Sequence, residues 1–119
     1  MDRADWLVLQ QAQQWLAQDQ RVALATVVRT WGSAPRPVGA WVALNPDGLV
    51  VGSVSGGCIE EVLSVRAREG TLFNDTPQRV RYGVNADEAN RLGLPCGGTL
   101  ELVIETLRSA AELGPFITH

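Results

Sequence analysis

The chain has 119 residues, 45% of them hydrophobic, with ten basic residues against thirteen acidic ones and a net charge of −3. That composition suits a single soluble domain able to bury about two-thirds of its unfolded surface, and no apolar run approaches the ~20 residues that span a bilayer. Every basic residue is an arginine and the one histidine is His119, which excludes a lysine Schiff base, a P-loop lysine and any histidine-activated nucleophile supplied by this chain.

From the N-terminus, Arg3 to Gln18 reads as an amphipathic helix. Trp6, Leu9, Ala12 or Gln13, and Leu16 form its apolar stripe, and Trp6 is expected in the core beneath it. Trp15 is also read as a packing residue. Arg21 to Arg29 is a near-continuous apolar strand of the kind buried on both faces. Its prolines, Pro35 and Pro37, make Thr30 to Pro37 a loop. Ala40 to Leu44 and Leu49 to Val54 flank Asn45-Pro46-Asp47-Gly48, a hairpin signal in which proline presets one φ, Asp47 bonds its own backbone and Gly48 takes the left-handed position. Ile59 to Arg68 places Ile59, Val62, Leu63 and Ala67 on one helical side, and Gly70 ends that helix. Arg79 to Tyr82 alternates like a half-exposed strand, and Asp87 to Leu92 reads as a helical turn. Thr99 to Thr106 is a strong strand, with Leu100, Leu102 and Ile104 on one face and Glu101, Val103 and Glu105 on the other. The tail from Arg108 has weak helical character. The expected fold is α/β: one domain, a mixed β-sheet of about five strands, flanked by helices.

Three loops carry the chemistry. Ser55-Gly56-Gly57-Cys58-Ile59-Glu60 places a glycine pair and a cysteine where a strand turns into a helix. Glycine allows close backbone approach to a ligand, and the first helical turn offers unpaired N–H groups and a positive dipole end. An anion is favoured there, and a thiol ionises more easily. Pro95-Cys96-Gly97-Gly98 repeats the theme 38 positions on (96 − 58), and Gly32-Ser33-Ala34-Pro35-Arg36 adds a hydroxyl and a guanidinium. If the three converge, they offer backbone N–H groups from Gly56, Gly57, Gly97 and Gly98, hydroxyls from Ser33 and Ser55, Arg36, two thiols and Glu60. That set suits a polyanionic small molecule bearing sulfur or a soft metal. The spacing fits neither the dinucleotide G-x-G-x-x-G nor a P-loop, and Cys58 and Cys96 make no CxxC pair. Two cysteines and a terminal histidine fall short of an ordinary zinc site. The arginines form no basic tract, so nucleic acid is not indicated. With no signal peptide and only two cysteines, a reducing cytoplasm is the expected location, without membrane association.

At these residues the chain resembles the XdhC/CoxI family, accessory factors of xanthine dehydrogenase and related molybdenum hydroxylases. The resemblance runs through Ala25 to Thr30, Gly32 to Gly39, Gly52 to Glu60 and Gly93 to Gly98, in that order, and spans about residues 20–106. It implies a factor that binds the molybdenum cofactor (molybdopterin) transiently, protects it while its terminal sulfur is installed, and delivers it to the apo-enzyme. Gly32, Ser33, Arg36, Ser55, Gly56, Gly57, Cys58, Glu60, Cys96, Gly97 and Gly98 would be the cofactor-binding residues. Cys58 and Cys96 would lie near the molybdenum or the sulfur. No residue is assigned a catalytic role. The implied partners are the molybdenum hydroxylase apo-enzyme and a sulfurtransferase (cysteine desulfurase). Typical members continue into a Rossmann-like domain that is absent from residues 1–119; a separate polypeptide supplying it, a stand-alone form and a truncation are all compatible with the sequence. Two other readings stand beside this one: a thiol-dependent enzyme with Cys58 as nucleophile and Glu60 as acid/base, and a recruitment module that binds no cofactor itself. Four tryptophans in so small a domain further predict a homodimer, with Trp41 as its anchor.

Overall fold

The computed structural model describes residues 3–31, 38–54, 58–83 and 99–114. Its elements are α1 (Arg3–Ala17), β1 (Val22–Trp31), β2 (Trp41–Leu44), β3 (Val50–Gly52), α2 (Cys58–Glu69), β4 (Gln78–Gly83) and β5 (Thr99–Leu107), followed by a 3₁₀ turn, Ala110–Leu113. The Asp87–Leu92 turn expected from the sequence lies outside the described residues. The five strands form one sheet in the order β3-β2-β1-β5-β4. All of these pairings are antiparallel, where the sequence suggested a mixed sheet. α2 returns the chain to the opposite sheet edge, and β4 pairs with β5.

Two apolar layers hold the helices to the sheet. On one face Ile59, Leu63 and Ala67 of α2, with Leu72 and Phe73, pack on Ala25, Val27, Val42, Leu44, Leu100, Leu102 and Ile104. On the other, Val8, Leu9, Ala12, Trp15 and Leu16 of α1 pack on Val22, Leu24, Ala43 and Leu107, with Trp41 and Val51 half-buried beside them. The stripe of α1 is therefore rotated from the expected one, and Trp6 is 56% exposed rather than in the core. An added Cβ on Gly52, the last residue of β3, would stand 2.6 Å from Val8 Cγ2, so Val8 already sits over the strand's end. Among the described residues, Trp6, in the helical turn before Val8, belongs to neither apolar layer.

The hairpin turn and the end of α2 are tied together. Asn45 Oδ1 accepts the N–H groups of Asp47 (3.1 Å) and Leu49 (2.9 Å), while its Nδ2 donates to Gln20 Oε1. Asn45, not the exposed Asp47, thus supplies the side-chain acceptor of the turn, which Gly48 closes at φ +82°. Ser64 Oγ donates to Gly48 O at 2.6 Å. Gly70 ends α2 at φ +82°, and the N–H groups of Thr71 and Leu72 close back onto Arg66 O. Among the described residues no helix is long and apolar enough to cross a membrane.

Candidate functional site

Strand direction decides where the three motif segments attach. Because all neighbours are antiparallel, the end of β1, the start of β2, the end of β3, the end of β4 and the start of β5 share one end of the sheet. Trp31, Trp41, Gly52, Gly83 and Thr99 mark it. The segment 32–37 leaves from Trp31 and re-enters before Trp41. The segment 55–57 follows Val54, and 84–98 joins Gly83 to Thr99. Thus the three Gly/Cys/Arg segments, scattered over 67 positions (98 − 32 + 1), are rooted at one end. Gly32, Ser33, Arg36, Ser55, Gly56, Gly57, Cys96, Gly97 and Gly98 themselves lie outside the described residues.

That end is stepped. Thr26 pairs with Trp41 at the start of β2, whereas Trp31 pairs with Thr99, so β1 continues five residues beyond β2. At ~3.3 Å per residue the wall of β1, β5 and β4 stands about 15 Å above the β2–β3 shelf. α2 starts beside the shelf. Glu60, in its first turn, bonds Val54 next to β3, while Ser64, one turn on, bonds Gly48 at the opposite end of the sheet. The helix therefore points its N-terminus toward the motif end, where unpaired N–H groups and the dipole favour an anion. Cys58 is the residue that opens it.

Glu60 is the expected site residue whose side chain is described, and its carboxylate is turned to the main chain. It is 7% exposed, and Oε1 accepts the Val54 N–H at 2.9 Å. This bond brackets Ser55-Gly56-Gly57 and fixes the separation of its two ends. Among the described residues no three His, Cys, Asp or Glu side chains stand together as a metal site.

The sequence reading passed over a second charged group near the same end. On the face opposite α2, Arg29 of β1 and Arg81 of β4 both stand opposite Glu101 of β5 in the strand register. Glu101 is buried at 5% exposure, with Arg79 Nη1 at 3.5 Å from its Oε1 and its Oε2 without a hydrogen-bond partner. Arg79 and Arg81 were legible as alternating partners of Val80 and Tyr82. Arg29 was not, because a register shift between Val27 and Arg29 carries it onto this face.

With this geometry in view, the model of the XdhC and CoxI family matches residues 15–83. This chain belongs to the XdhC and CoxI family. The matched span contains β1, β2, β3, α2 and β4, and hence two of the three motif segments. Among curated relatives, the family member here is 35% identical over 106 residues to the molybdenum cofactor insertion chaperone PaoD of Escherichia coli (strain K12). The match covers 89% of this chain and 33% of PaoD. Among solved structures it is similar to a crystal structure described as a xanthine dehydrogenase from Bacillus halodurans, with a TM-score of 0.71 and 30% identity, over 94% of this chain and 33% of that one. The chain spans about a third of the length of both.

Proposed function

We propose that this chain is an accessory, chaperone-like factor that binds the molybdenum cofactor transiently. In this reading it assists maturation of the cofactor and its insertion into a molybdenum hydroxylase of the xanthine dehydrogenase type. The observation that carries the reading is the common root of the three motif segments at one end of the sheet, beside the N-terminus of α2. The residues fit such a cargo. Glycines at Gly56, Gly57, Gly97 and Gly98 permit close backbone approach to the pterin and its phosphate, Arg36 supplies a fork for an anion, and Ser33 and Ser55 supply hydroxyls. Cys58 and Cys96 are soft ligands suited to molybdenum or to its exchangeable sulfur. Glu60 serves as the brace of the 55–57 segment. PaoD, named as an insertion chaperone, supports the role of carrier rather than turnover enzyme.

The same reading supplies the partners: the apo-enzyme that receives the cofactor and a sulfurtransferase that installs its sulfur. It places the chain in the cytoplasm as a homodimer. The deciding experiment is a titration of the purified chain with molybdopterin, followed by absorbance and by mass analysis of the released small molecule. Wild-type protein binds in the micromolar range or tighter, and Cys58→Ala and Cys96→Ala each lower affinity or activation of the target enzyme. Wild-type protein that retains no pterin removes the carrier reading. Unchanged affinity and activation in both variants removes the thiols from it.

A further inference from the structure

From Trp6 to Gln18 the chain carries no charged side chain. The solvent side of α1 is Trp6, Leu7, Gln10, Gln13, Gln14 and Ala17, all exposed, with Trp6 at 56% and Leu7 at 46%. These positions recur at intervals of three and four, so they form one strip along the helix, away from the sheet. The exposed side of α2, by contrast, carries Glu61, Arg68 and Glu69. An exposed helix ordinarily gains from such charges, in solubility and in ion pairs one turn apart. A strip with a tryptophan and no charge has the composition of an interface centre, where charged residues are depleted and tryptophan is enriched.

Two properties of the strip select its occupant. A glutamine amide both donates and accepts, so a glutamine strip meets a copy of itself with every group paired, and a two-fold axis makes that contact reciprocal. Charge returns only at the two ends, with Arg3 in the first turn and Asp19 just past the last, both exposed. Gln10 lies seven residues from Arg3 and seven from Ala17 (10 − 3 and 17 − 10), about 10 Å each way. An antiparallel copy centred on Gln10 therefore sets Arg3 opposite the second copy's Ala17, within reach of its Asp19. Trp6 falls opposite the second copy's Gln14, next to Ala17, whose small side chain leaves room for the indole. A parallel copy would instead set Arg3 against Arg3 and Asp19 against Asp19, with the two helix dipoles side by side.

We propose that the outer strip of α1 is a docking surface for a second copy of this chain, the two helices lying antiparallel across a two-fold axis at Gln10. This interface rests on the homodimer of the reading above, and on nothing that the chain carries. Val8 sits over Gly52 at the motif end of the sheet and Gln20 meets Asn45 at the other, so α1 runs away from the motif end. Antiparallel helices send the two motif ends to opposite poles of the dimer, and each copy handles its ligand alone.

The test is sedimentation equilibrium of the full chain at micromolar concentration and low salt, with charge placed on the axis. Wild-type protein sediments at twice the 12.9 kDa chain mass. Gln10→Glu alone and Gln10→Arg alone set like charges face to face, and each weakens self-association tenfold or more. An equimolar mixture of the two variants restores the dimer, which also shows that both fold. Arg3→Glu brings a like charge to Asp19 and weakens the dimer threefold or more. Val65→Glu, on the exposed side of α2, leaves it unchanged. Gln10 variants that dimerise as wild type does overturn the interface and leave a homodimer through another surface. A mixture that stays monomeric overturns the two-fold at Gln10, and an Arg3→Glu dimer as tight as wild type overturns the antiparallel arrangement. Wild-type protein at 12.9 kDa at every concentration removes the interface and the homodimer together. Molybdopterin titration of the same samples reads the carrier role separately from all of these outcomes.

Discussion

At Glu60 a carboxylate read from the sequence as a ligand contact accepts a backbone N–H. Its Oε1 accepts the Val54 N–H at 2.9 Å from a site only 7% exposed to solvent. Removing it leaves that N–H buried without an acceptor, which costs on the order of 1–3 kcal/mol. We expect Glu60→Ala to lose about 2 kcal/mol of stability in urea unfolding and to weaken molybdopterin binding. Glu60→Gln retains a carbonyl acceptor in the same place and should recover most of both. Equal loss in the two variants would show that the charge, not the hydrogen bond, matters. The residue types of the site were legible in the sequence, because glycine pairs and cysteines at strand ends announce themselves. The orientation of Glu60 was not, since a glutamate in the first turn of a helix reads the same whether it faces a ligand or the strand before it. Asn45 was missed for a related reason. In Asn45-Pro46-Asp47-Gly48 two side chains can accept the turn's N–H groups, and only the packing of Asn45 against Gln20 selects between them.

Among the elements, β1 shows how one residue sets the chemistry of a face. Val27 pairs with Leu102 and Arg29 with Glu101, leaving Val28 as an extra residue between them. Side chains alternate along a strand, so this insertion moves Arg29 from the face packed by α2 to the face shared with Arg79 and Arg81. Deleting Val28 would press the Arg29 guanidinium toward the apolar layer of Val27, Leu100 and Leu102. We expect a loss of about 3 kcal/mol or more. Val28→Ala keeps the bulge and should cost within about 1 kcal/mol. Thermal unfolding of the two variants separates the cases, and a deletion as stable as wild type would mean that the bulge can migrate. Strand positions were readable from alternation and from the Pro-Asp-Gly turn, and the end of α2 from Gly70. Bulges and strand directions depend on partners distant in the chain. The antiparallel β5–β4 pairing and the side occupied by Arg29 therefore emerge only from the folded sheet.

At the scale of the molecule, the two helices run the same way on opposite faces of the sheet. Val8 of α1 sits at Gly52, and Gln20, just beyond that helix, meets Asn45. Glu60 of α2 sits at Val54, and Ser64 meets Gly48. Both helical N-termini therefore lie toward the motif end. Trp6 and Leu7, 56% and 46% exposed, project there, whereas Trp41 is half-buried beneath α1. If the chain pairs with itself, Trp6 is thus a better anchor than the Trp41 expected from the sequence. Light scattering at micromolar concentration should give twice the 12.9 kDa chain mass, and Trp6→Ser should return it to the monomer value. A wild-type mass of 12.9 kDa at every concentration would remove the homodimer.

The strand order also leaves two borders that, among the described residues, no further strand covers. One is β3, too short at three residues to template much pairing. The other is β4, six residues long, where a flat apolar border would invite a second chain to add to the sheet and start a fibril. Arg79 and Arg81 occupy alternate positions on that border and make such stacking repulsive. These guanidiniums thus guard the border against aggregation, and a chain relieved of both would be the less soluble for it.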